Sequence, residues 1–194
     1  MVPDEGNILA GLTTDLDRSF ERLMTTYWHQ LYAFVLRRTA NAQDAEDIVS
    51  EVFVRSYIAL KGYPSERIRL LKLRSWLFKI AYHEYCRHIG KSTSPATSLS
   101  GYLDERTLFE QEEEERQQPD MLFESTERRQ ELEKLVATLP ERYREAVSLY
   151  YLEEFNYQEV ADLLDQPIGT IKSSVHRGIR LLRKMVSTQS NEVY

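Results

Sequence analysis

Between Leu16 and Thr39 the apolar positions Phe20, Leu23, Tyr27, Leu31 and Phe34/Val35 recur at steps of three and four, which predicts one amphipathic helix. The stripe resumes after an acidic turn (Asp44, Glu46, Asp47) with Ala45, Ile48, Val49, Val52 and Phe53, a second helix running to about Leu60 before Gly62, Tyr63 and Pro64 interrupt it. A basic loop, SERIRLLKLR, then leads into a third helix, SWLFKIAYHEYCRHI. Its apolar side holds Trp76, Leu77, Ile80 and Ala81, and Lys79, Tyr82, His83 and Arg87 fall elsewhere. Further on, Leu132, Leu135, Val136 and Leu139 form one stripe, Pro140 breaks it, and Val147, Tyr150 and Tyr151 form the next. Asn156 stands three residues before Glu159, a capping pair at a helix start. The short helix NYQEVADLL, the turn DQP and the longer helix IGTIKSSVHRGIRLLRKM follow, which is the helix-turn-helix order.

Composition supports an all-α reading. The 194 residues include only 7 Gly and 6 Pro, spaced widely enough for helices rather than hairpins. The single cysteine, Cys86, cannot close an intramolecular disulfide, which fits a reducing compartment. No apolar run approaches the ~20 residues of a membrane helix, and the amino terminus lacks a secretory pattern, so a cytoplasmic protein without direct membrane insertion is expected. No Gly-rich phosphate loop, GxSxG or HExxH stands in the sequence, and no nucleophile pair is visible, so catalytic residues, cofactors and enzyme activity are not expected. A metal site is not expected either: a helix would place His83 and His88 about 140° apart around its axis.

Charge divides the chain. Residues 16–91 carry 13 basic and 8 acidic side chains, and residues 92–126 carry 2 and 9, within a total of −6. From Gln166 to Ser187 five basic residues occur with no acid. The expected organisation is a tail (1–15), a first helical domain (16–91), an acidic flexible linker (92–126), a helix-turn-helix domain (127–187) and a second tail (188–194). On the last helix Ile171, Val175, Gly178, Leu182 and Met185 share one side. Thr170, Lys172, Ser173, His176, Arg177, Arg180 and Lys184 occupy the others, donors suited to phosphates and base edges. Aromatic residues beside cations in 73–89 suit unpaired bases, which stack on rings while phosphate meets the charge.

Three blocks carry a family resemblance: DAEDIVSEVFVRSY (44–57), LRSWLFKIAYHEYCRHI (73–89) and LPERYREAVSLYYLEEFNYQEVADLLDQPIGTIKSSVHRGIRLLRK (139–184). In this order they resemble the core-binding helix, the −10 element helix and the −35 helix-turn-helix of the extracytoplasmic-function (ECF) sigma factors of bacterial RNA polymerase, within the sigma-70 family. The resemblance implies promoter-specific transcription initiation, with core RNA polymerase, promoter DNA and an anti-sigma factor as partners and a role in stress response. It implies polymerase docking by Asp44, Asp47, Ile48, Glu51, Val52 and Phe53. It implies −10 contacts by Arg67, Arg69, Lys72, Arg74, Lys79, Tyr82, His83 and Arg87. Contacts to the −35 element fall to Thr170, Lys172, Ser173, Ser174, His176, Arg177 and Arg180. His83 and Arg87 stand where the family often has Asn and Asp, and Asp165 replaces a turn glycine. Ile168 replaces a common Glu, and Ser174 and Ile179 replace two common arginines. The rival reading is a self-sufficient helix-turn-helix regulator with a sensor or dimerisation domain at its amino end.

Overall fold

The computed structural model describes residues 5–90 and 126–191, and among them every regular element is helical. They form two compact units.

In the first unit α2 (Leu16–Thr39) and α3 (Ala42–Gly62) are joined by a two-residue turn. Asp15 caps α2, its carboxylate accepting from the Arg18 amide at 3.2 Å, and Asn41 caps α3, its side-chain oxygen accepting from the Gln43 amide at 2.9 Å. Each cap satisfies an amide that the first helical turn leaves without a carbonyl partner. Between them Ala40 adopts φ 52, a left-handed stop whose N–H returns to the Leu36 carbonyl. Against this pair lies α5 (Leu73–Gly90). Leu23, Tyr27, Leu31, Phe34 and Val35 meet Ala45, Val49 and Val52 and the α5 residues Leu73, Leu77, Phe78 and Ala81 in a core excluded from water. Phe34 and Phe78 pack edge to face at 4.9 Å, a geometry that aromatic quadrupoles favour.

Two expectations are corrected here. The amino-terminal stretch is not a free tail: Glu5–Thr14 forms α1, which packs on α2 and on a further short helix. Ile8 and Leu12, one turn apart, are buried, and the buried Tyr27 hydroxyl donates to Glu5 Oε1 at 2.7 Å. A ten-residue helix is marginal alone, so this docking is what stabilises it. The helices approach closely because residue 11 is glycine; a Cβ there would lie 2.5 Å from Ser19 Oγ. The basic loop after Pro64 also contains a helix, α4 (Ser65–Arg69), which buries Ile68.

In the second unit α6 (Thr126–Ala137) and α7 (Glu141–Val147) flank Pro140, as the pattern predicts. However, α7 continues into a π-helical turn, Ser148–Leu152. The widened turn shifts the buried face, so Leu149 and Leu152 enter the core and Tyr150 and Tyr151 stay half-buried, contrary to the expected stripe. Then come α8 (Tyr157–Leu164) and α9 (Ile168–Asn191). The last helix continues past the expected boundary at 187. Val136, Leu139, Val147, Leu152 and Leu182 make one core cluster. Gly178 allows α9 to close on α7: a Cβ there would lie 2.5 Å from Val147 Cγ2. The linker expected at 92–126 lies outside the described residues, apart from Thr126 at the start of α6.

Candidate nucleic-acid and docking surfaces

The helix-turn-helix is set by its termini. Asn156 Oδ1 accepts from the Glu159 amide and Glu159 Oε2 accepts from the Asn156 amide, both at 2.9 Å, a reciprocal cap that fixes where α8 begins. Asp165 ends α8 at φ 51 and ψ 44, with its N–H on the Ala161 carbonyl. Aspartate enters the left-handed region more readily than most non-glycine residues, so the turn forms without glycine. Pro167 precedes the first residue of α9, and its carbonyl accepts from the Thr170 and Ile171 amides.

This turn fixes the rotation of α9. Ile171, Val175, Gly178 and Leu182 are buried, which leaves Thr170, Lys172, Ser173, His176, Arg177 and Arg180 exposed and Ser174 half-buried. Arg183 and Lys184 are exposed as well. The Ser173 hydroxyl donates to the Thr170 carbonyl at 2.9 Å. The result is a convex helical face of cations, hydroxyls and one imidazole, with no carboxylate between residues 166 and 187.

Tyr157, which the pattern did not single out, and Tyr150, expected on the apolar stripe, lie beside this face. Tyr157 stacks on Tyr150 with ring centroids 4.4 Å apart and planes inclined by 18°, and Lys172 Nζ lies 5.9 Å from the Tyr157 ring centre. Burial, then the side-chain hydrogen bond to Tyr150, holds the Tyr157 phenol well above its ordinary pKa, so it stays neutral. The signal available in the sequence was an aromatic residue directly after the Asn156 cap.

In the first unit the cations expected to meet DNA are differently placed. Arg69, the last residue of α4, and Lys72, just before α5, are exposed. Arg67 is held over the Tyr63 ring, 4.0 Å from its centre, and Arg74 over Phe78 at 4.9 Å. Lys79, Tyr82 and His83 are half-buried on α5, with the Tyr82 ring 6.2 Å from His83 and 6.4 Å from Tyr85. Arg87 forms an ion pair with Glu84 at 3.0 Å. Beside Arg69 stands Leu70, 70% exposed, in a segment where Leu71 and Leu73 are buried. Its exposure was not visible in a run of alternating leucines and cations.

On α3 the expected docking set divides. Asp47 is exposed, and Asp44 and Glu51 are half-buried. Ile48, Val52 and Phe53, expected in the docking set, are core residues in the chain by itself, 4%, 0% and 3% exposed. The apolar groups on the open side of α3 are Val54 and Ile58, 53% and 59% exposed and one turn apart. Their offset from the buried stripe was readable once that stripe was assigned to the core. Asp44 also lies 3.6 Å from His88 Nε2 of α5.

Among the described residues no helix is long and apolar enough to cross a membrane, and no group of His, Cys, Asp or Glu is arranged to hold a metal ion.

Comparison with known proteins bears on the family and the fold of the two units. Residues 23–94 match the family "Sigma-70 region 2" and residues 129–182 match "Sigma-70, region 4". The chain is 27% identical over 175 residues to the "ECF RNA polymerase sigma factor SigW" of Bacillus subtilis (strain 168), covering 87% of this chain and 89% of that protein. It is 28% identical over 162 residues to the "ECF RNA polymerase sigma-E factor" of Escherichia coli (strain K12), covering 82% of each. The fold is similar to that of CnrH, solved in complex with the cytosolic domain of CnrY (TM-score 0.61, 16% identity, 95% of this chain and 99% of that one). It is similar also to that of the sigma factor RpoE of Bartonella quintana, solved with the anti-sigma factor NepR (TM-score 0.58, 22% identity, 88% and 98%).

Proposed function

The chain belongs to the ECF sigma factors of the sigma-70 family and serves promoter-specific transcription initiation; from that premise we propose how its two units divide the work. The carboxy-terminal unit reads the −35 element with α9. The observation that carries this is the one-sided helix: an apolar side seated on the unit's own core, and an exposed side whose charges are all positive in a chain of net charge −6. Thr170 and Ser174 at the start of α9 donate to base edges or phosphates, Ser173, whose proton is on the Thr170 carbonyl, offers its oxygen as an acceptor, and Lys172, His176, Arg177 and Arg180 stand behind them.

The amino-terminal unit docks on core RNA polymerase through the open side of α3. Asp44, Asp47 and Glu51 offer charge, and Val54 and Ile58 offer apolar area. The −10 region meets the segment from Arg67 to Arg87, where Arg69, Leu70 and Lys72 form an exposed basic and apolar corner and Tyr82 offers a ring to an unpaired base. The protein acts as a regulatory initiation factor and carries no catalysis of its own. Its place is the cytoplasm, where polymerase and promoter DNA are found. An anti-sigma factor restrains it, a reading supported by the two structural neighbours, one of them solved with an anti-sigma factor.

The test is transcription from a cognate promoter with Lys172→Ala and Arg177→Ala. Loss of a base contact should cost about 1–3 kcal/mol and relax preference at one position, whereas loss of a phosphate contact should weaken all sequences alike and reduce the salt slope by about 1. Both side chains are exposed, so the melting temperature should hold. Unchanged promoter use by both variants would remove α9 from the −35 contact.

A further inference from the structure

Glu84 is buried on α5, with 7% of its side chain exposed, a costly position for a carboxylate unless cations neutralise it. Two do so. Arg87, one turn along α5, places Nη1 3.0 Å from Glu84 Oε1 and donates to Oε2 at 3.1 Å. Arg55 reaches across from α3 and sets Nε 2.9 Å from the same Oε1, as an ion pair rather than an aligned hydrogen bond. The Nη2 of Arg55 lies 2.7 Å from Oε1 of Glu51, one turn earlier on α3. Glu51, Arg55, Glu84 and Arg87 thus form one chain of alternating charge, balanced overall. It runs from the open side of the docking helix, through the α3/α5 contact, to a cation on the helix assigned to the −10 region.

We propose that Glu84 is a positioning residue. Through Arg55 it locks α5 to the docking helix, and through its own carboxylate it holds the Arg87 guanidinium in a fixed place, so that docking of α3 on polymerase also aims Arg87 at the −10 region. The proposal rests on the division of work given above. The geometry favours it over simple core filling. An apolar side chain would fill the same space in α5, whereas this carboxylate joins two guanidiniums from two helices. Arg87 meets both Glu84 oxygens through Nη1, and Arg55 spans Glu84 with Nε and Glu51 with Nη2, so each guanidinium is held in direction as well as attracted. The pair Arg87/Glu84 also explains how an arginine can stand at this position without swinging free across the surface.

The experiment uses full-length chain reconstituted with core polymerase on one cognate promoter. It reads core affinity, the −35 footprint and permanganate reactivity of −10 thymines, for Glu84→Gln, Arg87→Ala and the double variant. Glu84→Gln keeps shape and removes charge. It should leave core affinity and the −35 footprint at wild-type values and lower −10 reactivity about tenfold, the scale on which members of one salt-bridge network couple. In the Arg87→Ala background the same change should add little. Arg55→Lys keeps the charge without the two nitrogens that span Glu51 and Glu84 and should give the same selective loss, which covers a Glu84→Gln chain that fails to fold. Normal −10 reactivity in Glu84→Gln, or a loss that adds in full to that of Arg87→Ala, would overturn the proposal and leave Glu84 as a core residue. Wild-type chain that neither binds core nor opens the promoter would instead overturn the functional reading, and this proposal with it.

Discussion

Tyr27 shows how one side chain ties α1 to the domain and what that means for pH. Its ring is buried against α2's neighbours, and its hydroxyl donates to Glu5. Burial first, then that bond and the nearby Glu5 charge, raises the phenol's pKa far above its ordinary 10.0. The folded chain therefore keeps the phenol neutral at pH values where an unfolded chain ionises it. The contribution is fully present below pH 10 and is lost as pH rises further, by about 1.4 kcal/mol per unit while the folded phenol stays neutral. Tyr27→Phe removes this linkage at the cost of a hydrogen bond worth about 1 kcal/mol. Urea unfolding near pH 8 and near pH 11 should show wild type more stable than the variant at the first and that advantage shrinking or reversing at the second. An advantage of constant size would show that Tyr27 ionises equally in both states.

At the scale of elements, α3 carries the sharpest distinction between core and surface. Val54→Asp or Ile58→Asp places a charge where the side chain already meets water, so stability should change by no more than about 0.5 kcal/mol. If this side meets polymerase, a buried interface contact is lost and core affinity should fall at least about tenfold. Phe53→Ala should do the reverse, costing roughly 3–5 kcal/mol of stability through the cavity it leaves. Equal affinity losses from Phe53→Ala and Val54→Asp at unchanged stability would contradict the burial seen here. The same helix shows what was legible in the sequence. Its apolar stripe marks the core, and Ile48, Val52 and Phe53, which the family resemblance assigns to the partner, lie in that stripe and are buried in the chain by itself. Helix α2 was readable from end to end because its apolar stripe is unbroken, and Asp15 caps it in the structure. Helix α1 was not, because its stability comes from Tyr27 and from the close approach at Gly11 rather than from its own ten residues. The π-helical turn after α7 has no periodicity of its own, so its effect on Tyr150 and Tyr151 appears only in three dimensions.

For the whole molecule the central claim is that neither DNA-facing surface acts alone. Duplex affinity depends on neutralised phosphates, each contributing about 0.9 to the salt slope. The α9 region offers five cations between residues 166 and 187, but the sequence sets 9 acidic against 2 basic residues in 92–126 and the chain carries −6 overall. Negative charge of that density, read from the sequence alone, opposes duplex binding by the free protein. On the proposed reading, docking on core polymerase would make the contributions of both DNA-facing surfaces reinforce one another as linked binding sites do. A self-sufficient regulator would need no such partner and would read two half-sites about one helical turn apart. The direct measurement is a gel shift on one cognate promoter with the chain alone, with core polymerase, and with core polymerase plus the Val54→Asp or Asp47→Ala chain. The expected result is weak binding by the chain alone, on the order of non-specific affinity at physiological salt, strong specific binding with core, and its loss in the docking variants. Tight, specific binding by the chain alone, indifferent to core polymerase and to both substitutions, would contradict it.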